Sequence, residues 1–183
     1  MKKINHITSA KRTLNIEANA VKKLSENLDH NFSKICEEIL RSKGKIITIG
    51  VGKSGHIAQK ISATLSSTGS PSYFIHATEA LHGDMGMISK ADCVLVFSHS
   101  GESKEVISLI PSLKDIGCKV FSVTGPTQST IAKRTDINIS TGVFKEACPL
   151  DLAPTSSTTA ALALGDALAI ALLRTLADRA RLT

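Results

Sequence analysis

The chain has 183 residues, of which 42% are hydrophobic, and this composition is typical of one soluble globular domain. Its net charge is +6, but no basic run alternates with aromatic side chains, so the composition favours small anionic ligands over nucleic acid. The four cysteines form no C-x-x-C pair, and the sequence carries no signal-peptide pattern. We therefore predict a cytoplasmic protein without disulfide bonds.

The first 44 residues predict two helices. Apolar side chains recur at helical spacing over residues 8–27, and Asp29 is placed to cap a second helix that ends near Gly44. We expect these helices to precede an α/β core at residues 45–183, so that the whole chain forms one domain.

From residue 45 onward, short apolar strands alternate with helices. The predicted strands are 45–50, 73–76, 93–97, 120–123 and 137–139, and the predicted helices are 54–68, 103–116, 128–133 and 158–176. Such alternation is typical of a parallel sheet that is covered by helices on both faces. We therefore predict an α/β fold, a three-layer α-β-α sandwich with a five-stranded parallel sheet, preceded by the N-terminal helices.

The last predicted helix is the most apolar part of the chain. Its apolar stretch, residues 159–173, is short for a membrane span and contains Asp166. We predict a core helix, with Asp166 capping or pairing inside the domain, and no membrane partner.

Three junctions between a strand and a helix are rich in glycine and hydroxyl groups, namely 50–55, 98–103 and 124–129. In doubly wound sheets, ligands bind where strands end and helices begin, and glycine lets an anion approach the backbone closely. The first junction imitates a dinucleotide-binding turn, but the next strand ends at His76, without the acid that would hold a ribose, and Glu79 lies beyond that position. It also imitates a P-loop, whose spacing would need glycine where Ile47 stands. We therefore predict a phosphate-sized anion site and reject nucleotide binding.

The groups needed for proton transfer lie between the last strand and the last helix. Glu146 lies in the loop sequence 145–150, and five consecutive hydroxyl residues, 155–159, follow where the helix begins. A carboxylate can move a proton on and off carbon, and a helix start lined with hydroxyls offers donors to an anion. The pattern predicts an enzyme that transfers protons on a small anionic substrate.

The junctions and this loop together resemble a known family. The run 98–103 and the glycine-rich first turn resemble the sugar isomerase (SIS) domain, and residues 50–56, 79–84 and 145–159 are similar to arabinose 5-phosphate isomerases. The resemblance implies a flavodoxin-like, doubly wound fold and a reversible conversion of D-ribulose 5-phosphate to D-arabinose 5-phosphate through an enediol. It also implies a role in Kdo synthesis for lipopolysaccharide or capsule, a homotetramer, and a short form without the CBS domains of longer members.

The resemblance implies roles for the residues around the first two junctions. Four serines are expected to bind the substrate phosphate, and His99 lies in the same loop and is expected to donate a hydrogen bond. These predicted phosphate-binding residues are Ser54, Ser98, His99, Ser100 and Ser103. Without the resemblance, the glycines of any one junction could equally shape an ordinary turn.

Four residues are expected to act in catalysis. By the resemblance, Glu146 is the base that moves a proton between C1 and C2, and Lys53 offsets negative charge on the enediolate or the phosphate. Glu105 is expected to position substrate hydroxyls or relay a proton, although an acid in a first helical turn also interacts favourably with the helix dipole. His82 is expected to help open the sugar ring or to bind a metal, or only to hydrogen-bond within its own turn.

No cofactor and no required metal are predicted. His76 could join His82 in a metal site, but two histidines without a third firm ligand are weak grounds for one. Adventitious zinc could still bind and inhibit.

Three other functions stay open. The first is a SIS isomerase of a heptose or hexulose phosphate, against which the 145–159 sequence argues. The second is a non-catalytic SIS regulator that binds a sugar phosphate, although no DNA-binding domain fits ahead of Lys45. The third is an oligomerisation module, which would not need three hydroxyl-rich anion turns.

Overall fold

Two helices precede the sheet in the computed structural model, which describes residues 5–181. In chain order the elements are α1 (His6–Glu26), α2 (His30–Arg41), β1 (Ile46–Gly50), α3 (Gly52–Ser67), β2 (Ser72–His76), α4 (Ala77–Leu81), a 3₁₀ helix (Asp84–Met87), β3 (Cys93–Ser98), α5 (Lys104–Ile116), β4 (Lys119–Thr124), α6 (Thr130–Arg134), β5 (Ile137–Ser140) and α7 (Ser156–Arg181). The five predicted strands are all present.

The five strands form one parallel sheet in the order β2-β1-β3-β4-β5. This order is the doubly wound, flavodoxin-like one, so the predicted fold class is confirmed. The carboxyl ends of β3, β4 and β5 are level, because Ser98 pairs with Thr124 and Thr124 pairs with Ser140. The chain order reverses between β1 and β3, and such a switch point leaves a crevice beyond the carboxyl ends of the strands.

Each face of the sheet is covered by its own set of helices. Alternate side chains of β3 point to opposite faces, so that Leu95 and Phe97 pack with α1, α2, α3 and α7, whereas Val94 and Val96 pack with α4, α5 and α6. The two apolar clusters account for the uninterrupted burial of β1 and β3. The three-layer arrangement is the predicted one.

The N-terminal helices begin at side-chain caps. The Asp29 carboxylate accepts the Asn31 amide at 2.9 Å, as the sequence predicted, and the Asn5 side chain accepts the Thr8 amide at 3.1 Å. Because Asn5 satisfies this amide, α1 begins two residues earlier than the apolar periodicity indicates.

Helix α7 packs inside the domain along one face. By length and composition alone it is apolar enough to cross a membrane, but core helices of soluble proteins pass the same test, and its buried face joins the larger apolar cluster. Gly165 touches α3 so closely that a Cβ atom there would overlap the Ile61 side chain. Asp166 forms an ion pair with Lys60 of α3, which confirms the expectation that it pairs internally.

One region differs from the sequence prediction. The sequence predicted no helix between the second and third strands, but the chain there forms α4 and the 3₁₀ helix. Ala77 and Ala80 of α4, and Ile88 directly after the 3₁₀ helix, are buried against the α5 side of the sheet. These elements have five and four residues, too few for apolar periodicity to reveal them.

Candidate active site

A cavity of about 280 Å³ opens beyond the carboxyl ends of β1, β3, β4 and β5. Its walls also include the first turns of α3 and α7, because both helices begin at this edge of the sheet. The lining residues are Val51, Lys53, Ser54, Ile57, Phe97, Ser98, His99, Ser100, Ser103, Val123, Thr124, Thr141, Pro154, Ser157, Thr158 and Ala161. The structure therefore brings together all five predicted phosphate-binding residues and Lys53.

The loop between β3 and α5 is held by its own hydroxyl groups. The Ser98 and Ser103 hydroxyl oxygens lie 2.9 Å apart, and the Gly101 amide donates to Ser98 Oγ at 3.2 Å. Gly101 has φ +66°, and a Cβ atom there would overlap Ser129. Only glycine fits this turn, which keeps the serine hydroxyls on the cavity side.

The start of α5 has no side chain that accepts its first amides. Ser103 occupies the N-cap, but its hydroxyl contacts Ser98 instead of the helix amides. The helix start therefore keeps its partial positive charge and its donors for another anion.

Helix α3 begins in a similar way. Its N-cap is Val51, which has no polar side-chain atom, and the helix starts at Gly52, with φ +57°. Ser54 is half-buried in the first turn, and Lys53 is exposed beside it at the cavity mouth. Two uncapped helix starts, hydroxyl groups and one lysine thus surround the cavity, and such an arrangement can bind a phosphate group.

Helix α7, by contrast, begins on a carboxylate. Glu146 is only 9% exposed, and its Oε2 accepts the Thr155 amide at 2.8 Å, the Thr155 hydroxyl at 2.9 Å and the Ser157 amide at 3.2 Å. Burial by itself would raise the pKa of Glu146, but the hydrogen bonds from Ser157 and Thr155 outweigh it and hold that pKa below its ordinary value. Glu146 is therefore a carboxylate at neutral pH.

The Glu146 side chain lies behind the cavity wall and is not among the lining residues. Its contact with the cavity is indirect. The Glu146 carboxylate accepts the Ser157 amide, and Ser157 lines the cavity. The loop that carries it is fixed by Asp151, whose carboxylate accepts the Glu146 amide at 2.7 Å. Asp151 has φ 55° and is the one non-glycine residue with positive φ within residues 5–181.

Glu105 and His82 also lie outside the cavity lining. Glu105 is half-buried in the first turn of α5, and His82 is exposed at the C-cap of α4, where its amide donates to the Glu79 carbonyl at 3.0 Å. His76 accepts the Thr78 amide through Nδ1 at 3.3 Å. Within the described residues, no three His, Cys, Asp or Glu side chains lie close enough together to hold a metal ion.

Several lining residues were not predicted as site residues. Ser157 and Thr158 belong to the hydroxyl run that the sequence indicated at the start of the last helix, but no role was given to either residue. Thr124 begins the third predicted junction, but no role was given to it, and Thr141 was missed. The signal that could have found Thr141 is its position directly after β5, on the ligand-binding edge of a parallel sheet.

The comparisons with known proteins agree with this geometry. A model of the SIS domain matches residues 39–171. The chain belongs to the SIS domain family. It is 51% identical over 170 residues to arabinose 5-phosphate isomerase KdsD of Pseudomonas aeruginosa, and 48% identical over 166 residues to the protein of that name in Escherichia coli K12. These alignments cover 93% and 91% of this chain but 52% and 51% of the relatives, so this SIS chain spans about half the length of the curated relatives it matches.

A solved structure extends the similarity to three dimensions. The structure of c3406 from E. coli CFT073 in complex with arabinose 5-phosphate superposes with a TM-score of 0.91 and is 40% identical in sequence. The match covers 96% of this chain and 93% of c3406. The predicted resemblance to arabinose 5-phosphate isomerases is thus confirmed for the SIS domain.

Proposed function

We propose that this chain is an aldose–ketose isomerase that interconverts D-ribulose 5-phosphate and D-arabinose 5-phosphate through an enediol. The observation that carries the proposal is the cavity, where two uncapped helix starts meet serine hydroxyls and Lys53. The curated relatives named arabinose 5-phosphate isomerase, and the arabinose 5-phosphate complex of c3406, support this substrate over a heptose or hexulose phosphate.

The substrate phosphate binds between the starts of α3 and α5 in this proposal. Ser54 comes from α3. Ser98, Ser100 and Ser103 come from the β3–α5 loop, with His99 beside them. Together they provide hydroxyl and backbone donors, while Lys53 adds a positive charge. Holding the phosphate at this end places the carbon chain along the rest of the cavity and fixes its geometry for proton transfer.

Glu146 remains the proposed base. It is ionised at neutral pH, as a base must be, and it lies directly behind the cavity-lining Ser157. Because its Oε2 is occupied by hydrogen bonds at the start of α7, proton transfer requires the carboxylate to turn from these donors toward C1 and C2. Lys53 offsets negative charge on the enediolate or on the phosphate.

Glu105 is proposed to position substrate hydroxyls or relay a proton, and the role proposed for His82 depends on neighbouring subunits. Neither lines the cavity of a single chain, and His82 is flanked by the exposed apolar side chains of Leu81 and Met87. We propose a homotetramer in which subunit contacts bring His82 to a neighbouring cavity to open the sugar ring. Exposed Phe144 and Leu152, in the loop before α7, offer further apolar contact area.

The cellular setting follows from the proposed substrate. The product would supply Kdo synthesis for lipopolysaccharide or capsule, in the cytoplasm, without a metal, a nucleic acid or a membrane as partner. The family resemblance supports this setting, and the excess of positive charge agrees with an anionic substrate.

Isotope exchange tests the proposed reaction. The protein is incubated with D-arabinose 5-phosphate in heavy water, and ribulose 5-phosphate formation and deuterium uptake next to the carbonyl are followed by NMR. We expect conversion with deuterium uptake, and none with ribose, heptulose or hexulose phosphates. Binding without exchange would support a regulator instead, and turnover of another sugar phosphate alone would support a different SIS isomerase.

A further inference from the structure

We propose that Thr141 binds the carbonyl end of the sugar phosphate, so that it is a substrate-binding residue opposite the phosphate site. This inference rests on the proposed function. It would make Thr141 the residue that recognises the carbonyl oxygen or the adjacent hydroxyl group, whereas the serine-rich loop recognises the phosphate.

The first observation is an unused hydroxyl group. Thr141 lines the cavity and is 3% exposed, and its Oγ1 has no hydrogen-bond partner within residues 5–181. A buried hydroxyl without a partner is unfavourable, so such groups in native proteins usually have a partner in a ligand or a water molecule. The Thr141 hydroxyl is therefore available to a ligand in the cavity.

The second observation is that the backbone fixes this residue in place. The Thr141 amide donates to the Thr124 carbonyl at 2.8 Å, which continues the pairing of β4 and β5 by one residue. The chain turns immediately afterwards at Gly142, with φ +63°. Thr141 is thus held at the rim of the sheet by a main-chain bond that does not depend on its side chain.

A second threonine on the same wall is different. Thr124 Oγ1 donates to the Pro126 carbonyl at 2.9 Å and accepts from Asn138 Nδ2 at 2.9 Å. Its hydroxyl is already used by the protein itself. Of these two cavity threonines, Thr141 alone has a side-chain oxygen free for a ligand, and Thr124 is a matched control.

The spacing of the strands selects the end of the substrate that Thr141 contacts. β5 lies two strands from β3, and neighbouring strands are about 4.8 Å apart, so Thr141 lies about 10 Å across the sheet from the Ser98 loop. That separation is comparable to the length of an extended five-carbon phosphate ester. A phosphate held at Ser98 and Ser103 therefore directs the carbonyl end toward Thr141.

Thr141→Val tests the inference, because valine keeps the branched shape and removes only the hydroxyl. The free Thr141→Val protein should melt at or above the wild-type temperature, since no hydrogen bond is lost. The rise in Tm caused by D-arabinose 5-phosphate should shrink, the rise caused by inorganic phosphate should stay unchanged, and kcat/KM should fall about tenfold. Thr141→Ser should restore most of the sugar-phosphate effect.

The matched control, Thr124→Val, should differ from Thr141→Val in the melting temperature of the free protein. Its free protein should melt at a lower temperature, because the Pro126 and Asn138 partners lose their hydrogen bonds.

Three results would overturn the inference. An unchanged sugar-phosphate shift and kcat/KM in Thr141→Val would show that the hydroxyl does not bind substrate. An equal loss of the inorganic-phosphate shift would place Thr141 at the phosphate. If the wild-type protein itself showed no shift with D-arabinose 5-phosphate while responding to another sugar phosphate, the proposed function would fail first, and this inference with it.

Discussion

Three long helices begin at the cavity, and they treat their first amides in two different ways. α3 and α5 begin without a side-chain acceptor, at Val51 and at a serine whose hydroxyl points elsewhere. α7 begins on the buried carboxylate of Glu146. The first two helix starts are open to an external anion, whereas the third is occupied by an anion that the chain itself supplies.

This difference is consistent with the proposal that phosphate binding and proton transfer depend on different helix starts. A helix start with free amides binds phosphate, and a helix start that already holds a carboxylate stabilises that carboxylate in its charged form. The hydrogen bonds that lower the pKa of Glu146 also join its carboxylate to the start of α7. Breaking each of these contacts in turn tests whether the two kinds of helix start have separate roles.

The largest expected effect is on turnover in Glu146→Gln. Glutamine keeps an oxygen that can accept the Thr155 and Ser157 amides but cannot act as a base. We expect turnover to fall by at least about a hundredfold while binding of D-arabinose 5-phosphate stays measurable by calorimetry.

Glu102→Gln is the matched control for this change. Glu102 also accepts a helix-start amide, that of Thr130 at 2.8 Å, but its side chain does not line the cavity. Its turnover should stay near the wild-type value. Full turnover in Glu146→Gln would remove Glu146 as the base and leave it as a cap of α7.

The second prediction concerns Asp151, which positions the Glu146 loop. Asp151→Ala loses the hydrogen bond to the Glu146 amide and puts alanine in a left-handed conformation, so we expect the free energy of unfolding to fall by about 2 kcal/mol. Asp151→Gly loses the hydrogen bond without the strain and should cost about 1 kcal/mol, and Asp151→Asn should cost least. Urea unfolding measures the series, and equal losses for alanine and glycine would show that backbone strain plays no part.

The third prediction concerns Lys53, which lies beside the uncapped starts of α3 and α5. Lys53 is exposed and forms no ion pair with any residue of the described chain, so Lys53→Ala should leave the melting temperature unchanged. The dissociation constant of the Lys53→Ala protein for inorganic phosphate should rise about tenfold, and this effect should weaken as salt is added. Lys119→Ala, at the opposite end of the sheet, is the control and should bind phosphate like the wild type. Equal phosphate binding in both variants would show that the helix starts bind without Lys53.

Much of the fold, and the meeting of the proposed phosphate-binding residues at one cavity, could be predicted from the sequence because both depend on local patterns. Apolar strands alternating with helices specified the parallel sheet, and the glycine-rich turns placed Ser98 and Ser103 at its carboxyl edge. The predicted phosphate-binding residues come from two turns next to neighbouring strands, so their meeting follows from the topology alone.

The rest of the site depends on contacts between residues distant in sequence or in unusual conformations. Glu146 reaches the α7 amides across a loop that includes the left-handed Asp151, a conformation rare for a non-glycine residue and not indicated by its neighbours. The unused hydroxyl of Thr141 could not be distinguished from the satisfied one of Thr124, because their difference depends on Asn138 and Pro126 in three dimensions.

The smallest expected effect is a pH dependence of stability that comes from the Glu146 carboxylate at the start of α7. Because folding lowers the pKa of Glu146 below its ordinary value of 4.5, its ionisation stabilises the folded protein fully above that value, and this contribution is lost as pH falls through the lower folded pKa. Glu146→Gln lacks the contribution at every pH. Thermal melts of both proteins should therefore show a constant difference in Tm at neutral pH that shrinks below pH 4.5, whereas Asp92, whose pKa is also lowered, affects both proteins equally. A difference that stayed constant into acid would mean that the amides of α7 do not favour the charged carboxylate.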